Sequence, residues 1–312
     1  MKVLVSGATG YLGAALVRAF LQEPEAQVTA LGRSTEKLRA LAERIPDGRE
    51  RLDPWDADLA ELPALREPVD LVVHAAAVRP PTAGDLETLR RVNVGGTETL
   101  VRAAAAAGCR RFVYVSTQAV YGLAGAPWAE SAQPAPQTPY GATKLEGERV
   151  AAGFSDAFEV VCLRLSRLYG VTPEMRWEEL PGRFAERAVR GEPIPVYGTG
   201  EQRFDLLHID DAVSGFLAAA RADISTRDRV LNLGGGRSVT VMEIAETILQ
   251  SAEARGVSSG GIQRLPEHPT GEVNHLELSI DRARRELRWT PSVSLRAGLD
   301  GYVEGAIRRL RM

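Results

Sequence analysis

Tyr140 and Lys144 stand four residues apart in a stretch that Pro139 opens, so on a helix their side chains share one face. An ammonium beside a phenol stabilises the phenolate and draws the tyrosine pKa towards the working range, which is what a proton-transfer catalyst needs. Thr117 closes an apolar, β-branched run at residues 111–115 and is expected at the carboxyl end of a neighbouring strand. There its hydroxyl can hydrogen-bond the same substrate oxygen. Together the three residues supply a proton donor and acceptor, its tuner and an oxygen positioner. The tyrosine–lysine spacing alone is common by chance, and it gains weight only from what stands upstream.

What stands upstream is the first strand. Residues 2–6 are a short aliphatic run, Gly7-Ala8-Thr9-Gly10-Tyr11-Leu12-Gly13 follows directly, and from Tyr11 to Leu21 the apolar residues recur with helical spacing until Pro24. Strand, glycine turn and helix in that order form an anion-binding device. Gly7 permits the tight turn, Gly10 admits a pyrophosphate to the backbone, and Gly13 lets helix and strand pack closely. Thr9, Tyr11 and Leu12, between and beside the glycines, belong to the same cofactor turn. The free N–H groups of the helix start then face the phosphates of a dinucleotide.

Strands and helices alternate beyond this unit, which predicts an α/β fold with a doubly wound parallel sheet. A second strand, 27–31, ends in Gly32-Arg33-Ser34, and Ser34 can cap a helix through residue 44. No acid stands at that strand's exit to take an NAD ribose, whereas Arg33 suits a 2′-phosphate; NADP(H) is therefore favoured, with NAD as the alternative. A third strand at 51–53 is expected to carry Asp53 at its exit, within reach of the adenine. A fourth, 69–73, runs into His74 and the small residues Ala75, Ala76 and Ala77, which suit a backbone passing close to a flat cofactor. His74 reads as structural. Residues 85–107 read as one long helix, interrupted around Gly95-Gly96, and a helix opened by Pro139 runs through residue 152. Strands at 158–165 and 230–233 complete the sheet. From Ser166 onward proline and glycine increase. The expected organisation is a dinucleotide-binding domain over 1–165, completed by about 205–235, with a smaller cap from 166–204 and 236–312.

Composition excludes several classes. The 312 residues carry a net charge of −3, with 44% hydrophobic and 25% charged residues, so neither a nucleic-acid footprint nor a membrane protein is expected. Cys109 and Cys162, the only cysteines, form no metal-ligand pattern, and no metal is expected. Met1 leads straight into the first strand without a signal segment, which points to a cytoplasmic protein.

On its motifs the chain resembles an extended short-chain dehydrogenase/reductase of the NAD-dependent epimerase/dehydratase family. The resemblance rests on the glycine turn, His74-Ala-Ala-Ala77, Val92-Asn93-Val94, Val115-Ser-Thr117 leading to Val120-Tyr-Gly122, and Tyr140-Gly-Ala-Thr-Lys144. It continues through Leu163-Arg164 to Leu168-Tyr-Gly170, Val196-Tyr-Gly-Thr-Gly200 to Arg203, His208-Ile-Asp-Asp211, Asn232-Leu-Gly-Gly-Gly236 and Ala283-Arg-Arg-Glu-Leu287. It implies that Lys144 also binds the nicotinamide ribose and that Asn93 supports the active-site hydrogen bonds. It implies a cap that holds a nucleotide-activated sugar through Arg167, Val196 and Arg203, with Arg203 on the diphosphate, and it suggests a homodimer.

Three departures narrow the reaction. Dehydratases of this family carry an acidic pair after the threonine, whereas here Gln118 and Ala119 follow Thr117. Arg167 stands where 4-epimerases commonly have asparagine. Pro269-Thr-Gly-Glu272 replaces an arginine-containing phosphate clamp, for which Arg167, Arg176 or His268 are the candidate substitutes. With Arg33 these changes point first to an NADP(H)-dependent ketoreductase of a 4-keto-deoxysugar nucleotide, with Tyr140, Lys144 and Thr117 catalytic. The alternatives are an NAD-dependent nucleotide-sugar epimerase and a reductase of a small non-nucleotide carbonyl compound.

Overall fold

Lys2–Ser6 (β1), Gln27–Gly32 (β2), Leu52–Asp56 (β3), Leu71–His74 (β4), Arg111–Thr117 (β5) and Glu159–Leu165 (β6) are the first six strands of the chain. After Arg167–Tyr169 (β7), Ile194–Tyr197 (β8) and Arg203–His208 (β9), Val230–Leu233 (β10) joins them in a seven-stranded sheet of order β10-β6-β5-β4-β1-β2-β3. Every pairing in it is parallel. This computed structural model describes residues 1–62, 64–79, 85–122, 126–175, 177–222, 229–267 and 276–311. The expected fold class is the observed one.

All the strands enter at one edge and leave at the other, so the loops after β1, β4, β5 and β6 crowd onto a single edge. The strand order reverses between β1 and β4, and an open α/β sheet binds its ligands at such a switch point. Two apolar layers hold the sheet. On one face Leu16, Val17 and Phe20 of Tyr11–Leu21 (α1) pack with Phe216 of Ile209–Arg221 (α7). On the other, Leu100, Val101 and Ala104 of Gly96–Ala106 (α4) pack with Phe112 and Tyr114 of β5.

Thr35–Glu43 (α2) begins as expected, its Ser34 side chain accepting from the Lys37 N–H. The helix expected over 85–107 is broken differently. Leu86–Arg90 (α3) passes into a π turn, Arg91–Gly95, before α4. The interruption runs from Arg91 to the first glycine of the pair, Gly95, and it carries Asn93. A π turn of this kind re-aims one side chain out of helical register.

A smaller core belongs to the cap. There Pro139–Ala152 (α5) has no part; instead Phe184 of Leu180–Val189 (α6), Ile244 and Ile248 of Val241–Glu253 (α8), and Leu299 and Val303 of Leu295–Arg311 (α10) pack together. Two small sheets accompany them: Ser238–Thr240 (β11) with β9 and β7, and Ile262–Leu265 (β12) with β8. Ile280, Ala283, Leu287 and Trp289, around Asp281–Glu286 (α9), pack with the main sheet, although 236–312 was expected to build the cap. Among the described residues no helix is long and apolar enough to cross a membrane.

Candidate active site

The glycine turn has the cradle geometry that a dinucleotide needs. Gly7 has φ +69°, and a Cβ there would stand 2.7 Å from the Ala76 backbone; one at Gly13 would stand 2.1 Å from the Gly7 carbonyl oxygen. Any side chain would therefore fill the cradle. Gly10 caps α1 with no side-chain hydrogen bond, so no side chain competes for the helix's first N–H groups. The 75–77 segment lies directly across, with the Ala75 N–H donating to the Ser6 carbonyl and the Ala76 N–H to Ser6 Oγ. Thr9 packs its methyl near Gly32, Leu12 is buried, and the Tyr11 hydroxyl donates to the Gly170 carbonyl at 2.7 Å, tying α1 to the end of β7. The residues present fit a bound dinucleotide.

His74 is fully buried between Ser6 Oγ at 2.6 Å and Thr97 Oγ1 at 2.9 Å. Burial pulls its pKa down to about 3, so it is neutral and structural. Asn93 works through another segment. Its Oδ1 accepts from the Val78 N–H, and its Nδ2 donates to the Val78 carbonyl and to Thr143 Oγ1. It thereby clamps the loop after β4 onto α5.

Thr117 is the last residue of β5, and a single helical turn, Gln118–Val120, follows it. Thr138 caps α5 by accepting from the Gly141 N–H. A Cβ on Gly141 would stand 2.4 Å from the Ala119 carbonyl oxygen, so the first turn of α5 rests on the turn after Thr117. Tyr140 stands in that first turn, next to Gly141. The Gln118 Oε1 is buried there without a hydrogen-bond partner.

Lys144 is 2% exposed, with its Nζ 4.1 Å from the centre of the Tyr114 ring. Burial pulls its pKa down to about 7, and Glu148 opposes that pull. Glu148 is itself held by bidentate hydrogen bonds from Arg164 at 2.9 and 2.6 Å and by Ser116 Oγ. The electrostatics of Tyr140 differ from expectation. Burial raises its pKa, and the cation that pulls it back is Arg79, while the Lys144 ammonium rests against Tyr114.

Other expected site residues are placed differently. Asp53 is the second residue of β3 rather than its exit, because the strand continues through Trp55 and Asp56. It pairs in register with Thr29 and lines a shallow hollow with Lys2, Gln27 and Glu67 at the sheet's other edge. The acid at the exit is Asp56, in register with Gly32 and hydrogen-bonded by Thr35 Oγ1. Val196 is wholly buried in the cap core. Arg203 and Arg167 are not brought together. Arg167 stacks its guanidinium 4.8 Å from the centre of the Phe204 ring, whereas Arg203, the next residue along β9, points to the opposite face and acts on Glu243. Arg33 is exposed at the exit of β2. Arg176, His268 and the 269–272 segment lie outside the described residues.

Sequence reasoning missed Arg79, Glu148 and Glu179. Glu148 had a readable signal, four residues beyond Lys144 on the same helix face. Arg79 had none, since its importance comes from an ion pair with Glu179 at 3.1 Å, a hundred residues away.

Comparison with known proteins agrees with this geometry. Residues 3–234 match the model of the family described as NAD dependent epimerase/dehydratase. A dTDP-glucose 4,6-dehydratase of Streptomyces niveus is 32% identical over 97% of this chain and 92% of its own length. The solved MoeE5 in complex with UDP-glucuronic acid and NAD is 31% identical, with TM-score 0.79 over 99% of this chain and 100% of that one. The UDP-glucuronic acid 4-epimerase of Bacillus cereus, in complex with UDP-glucuronic acid and NAD, is 26% identical, with TM-score 0.81 over 99% of this chain and 100% of that one.

Proposed function

The chain belongs to the NAD-dependent epimerase/dehydratase family, extended short-chain dehydrogenase/reductase enzymes that modify nucleotide sugars, and on that premise we propose that it is an NAD-dependent nucleotide-sugar 4-epimerase. The seating of Gly141 on the Ala119 carbonyl supports this most. It seats the first turn of α5, which carries Tyr140, on the turn that follows Thr117, at the sheet edge that carries the glycine cradle. When bound, the nicotinamide supplies hydride acceptance and return.

The protein's own part is proton transfer and orientation. Thr117 Oγ1 hydrogen-bonds the sugar's C4 oxygen. Tyr140 takes the hydroxyl proton as C4 is oxidised and returns it to the same oxygen when the carbonyl is reduced from its other face. Arg79 favours the phenolate during the first half of that cycle. Lys144 offers an ammonium to the cofactor's ribose, and Glu148 keeps that ammonium charged. Asn93 fixes the loop that lies along the cofactor.

Dehydration is disfavoured because Gln118 and Ala119, not an acidic pair, follow Thr117. NAD is favoured over NADP(H) by Asp56, whose carboxylate beside Gly32 would repel a 2′-phosphate, and by the NAD carried in both solved relatives above. A second reading, an NADP(H)-dependent ketoreductase, draws on the exposed Arg33. Cofactor content of the purified protein, with product formation on a UDP-sugar, separates the two. Retained NAD with interconversion and no added reductant supports the epimerase, whereas NADPH consumption with a 4-keto sugar nucleotide supports the reductase.

A further inference from the structure

Gly170, the residue after β7, is where the cofactor helix and the cap meet. Its carbonyl accepts from the Tyr11 hydroxyl at 2.7 Å, and its N–H donates to the Tyr302 hydroxyl oxygen at 2.9 Å; that second hydroxyl lies 3.4 Å from the same carbonyl. Tyr11 is the first residue of α1, whereas Tyr302 stands on α10, buried in the cap core with Phe184 and Val303. One peptide unit therefore joins the helix of the glycine turn to the cap. It has little room to shift. Gly170 has φ +125°, and a Cβ there would stand 2.8 Å from both His208 Nε2 and Ile209 Cγ2. A second tie lies two helical turns along α1. Arg18 meets Glu174 through two hydrogen bonds, at 3.1 and 2.8 Å, and the side chain of that glutamate is only 9% exposed. Residues 170–174 thus form a strap, fastened to α1 at Tyr11 and Arg18 and to the cap at Tyr302.

The strap fixes the direction of α1. The helix's first N–H groups are the ones a dinucleotide pyrophosphate meets, and hydrogen bonds weaken steeply as their donors turn off axis. A small tilt of α1 would misaim all of them together. We propose that Tyr302 is a positioning residue for the cofactor: through the Gly170 peptide and Tyr11, the cap holds α1 in the direction that grips the pyrophosphate. The Arg18–Glu174 pair is the second fastening of the same brace. Cofactor grip is then set partly from outside the dinucleotide-binding domain, by a side chain that does not touch the dinucleotide. The brace serves an epimerase and a reductase alike, because it acts on the dinucleotide and not on the sugar.

Calorimetric NAD titration of the full chain, with thermal unfolding alongside, tests this. Tyr302→Phe keeps the ring's edge contact with Trp177 but removes the hydroxyl, leaving the Gly170 N–H unpaired. It weakens NAD binding by about 5- to 10-fold, as loss of one such hydrogen bond does. Tyr11→Phe does the same, and the double variant binds NAD no more weakly than either single one, because both act through one peptide. Arg18→Gln, which opens the other fastening and leaves Gly170 untouched, weakens NAD by a similar factor. A Tyr302→Phe variant that melts at lower temperature with unchanged NAD affinity has lost packing only, and overturns the proposal. Losses that add in the double variant, or an Arg18→Gln variant that binds NAD as the wild type does, overturn it too. If the wild type binds no NAD, the cofactor reading and the brace fall together.

Discussion

Glu148 lies one helical turn beyond Lys144 on α5, and the two are 6% and 2% exposed, so each ionised group has the other as a nearby counter-charge. Arg164 and Ser116 hold the carboxylate in place from two neighbouring strands. The Lys144 ammonium is thus tuned from beneath, by a carboxylate that Arg164 and Ser116 hold in place.

Replacing Glu148 by glutamine removes the one carboxylate that favours the Lys144 ammonium, so the lysine pKa falls below its value of about 7. The alkaline limb of the kcat/KM profile that reports Lys144 moves to lower pH. The same change leaves the Arg164 charge unpaired, and loss of about 3–5 kcal/mol of stability is expected from breaking such a buried pair. A pH–rate profile beside thermal unfolding separates the two effects.

Lys144 also makes stability depend on pH. Its folded pKa, about 7, lies below the unfolded value of 10.5, so between those values the unfolded chain binds the extra proton. This residue's contribution therefore raises stability as pH climbs through that window. Lys144→Met should gain more stability over the wild type at pH 6 than at pH 10, read from denaturant midpoints.

Tyr140→Phe should lower kcat by about 10²- to 10⁴-fold, the usual worth of a positioned acid–base group. The fold and the glycine cradle are untouched by it, so NAD affinity by calorimetry should change little.

Asn93→Ala removes the two hydrogen bonds Asn93 makes with Val78, in the loop after β4, and the one it makes with Thr143 on α5, and leaves the Val78 N–H without its partner. A loss of about 1–3 kcal/mol is expected for each buried group left unpaired. NAD affinity should weaken together with kcat, because the loop lies along the cofactor cleft. Thermal unfolding and NAD titration measure both.

Gly13→Ala would set a methyl 2.1 Å from the Gly7 carbonyl. Overpacking of about 1–3 kcal/mol and loss of NAD binding should appear together.

The main sheet, the glycine turn and the helix that carries Tyr140 and Lys144 were legible because each is written locally: period-two strands, helical spacing, and glycines at a turn. Asp53 was misplaced because strand ends are weakly encoded, and Pro54 hid the continuation of β3 through Trp55 and Asp56. The burial of Val196 in the cap core was not legible, because a motif position says nothing of which way a strand faces. α10 was overlooked although Leu299, Tyr302, Val303 and Ala306 repeat with helical spacing. The charges that tune the site are a different case. Arg79 and Glu179 meet across a hundred residues of chain, and only the fold brings them together.

The proposed cycle, in which Tyr140 removes and restores one proton while C4 is oxidised and reduced, is tested most directly with a UDP-sugar deuterated at C4. Incubated with the enzyme and no added reductant, the wild type should yield the C4 epimer with deuterium retained at that carbon, and Tyr140→Phe should yield almost none. A wild type that makes product only while consuming NADPH, or an epimer that has exchanged its deuterium with water, would contradict the account.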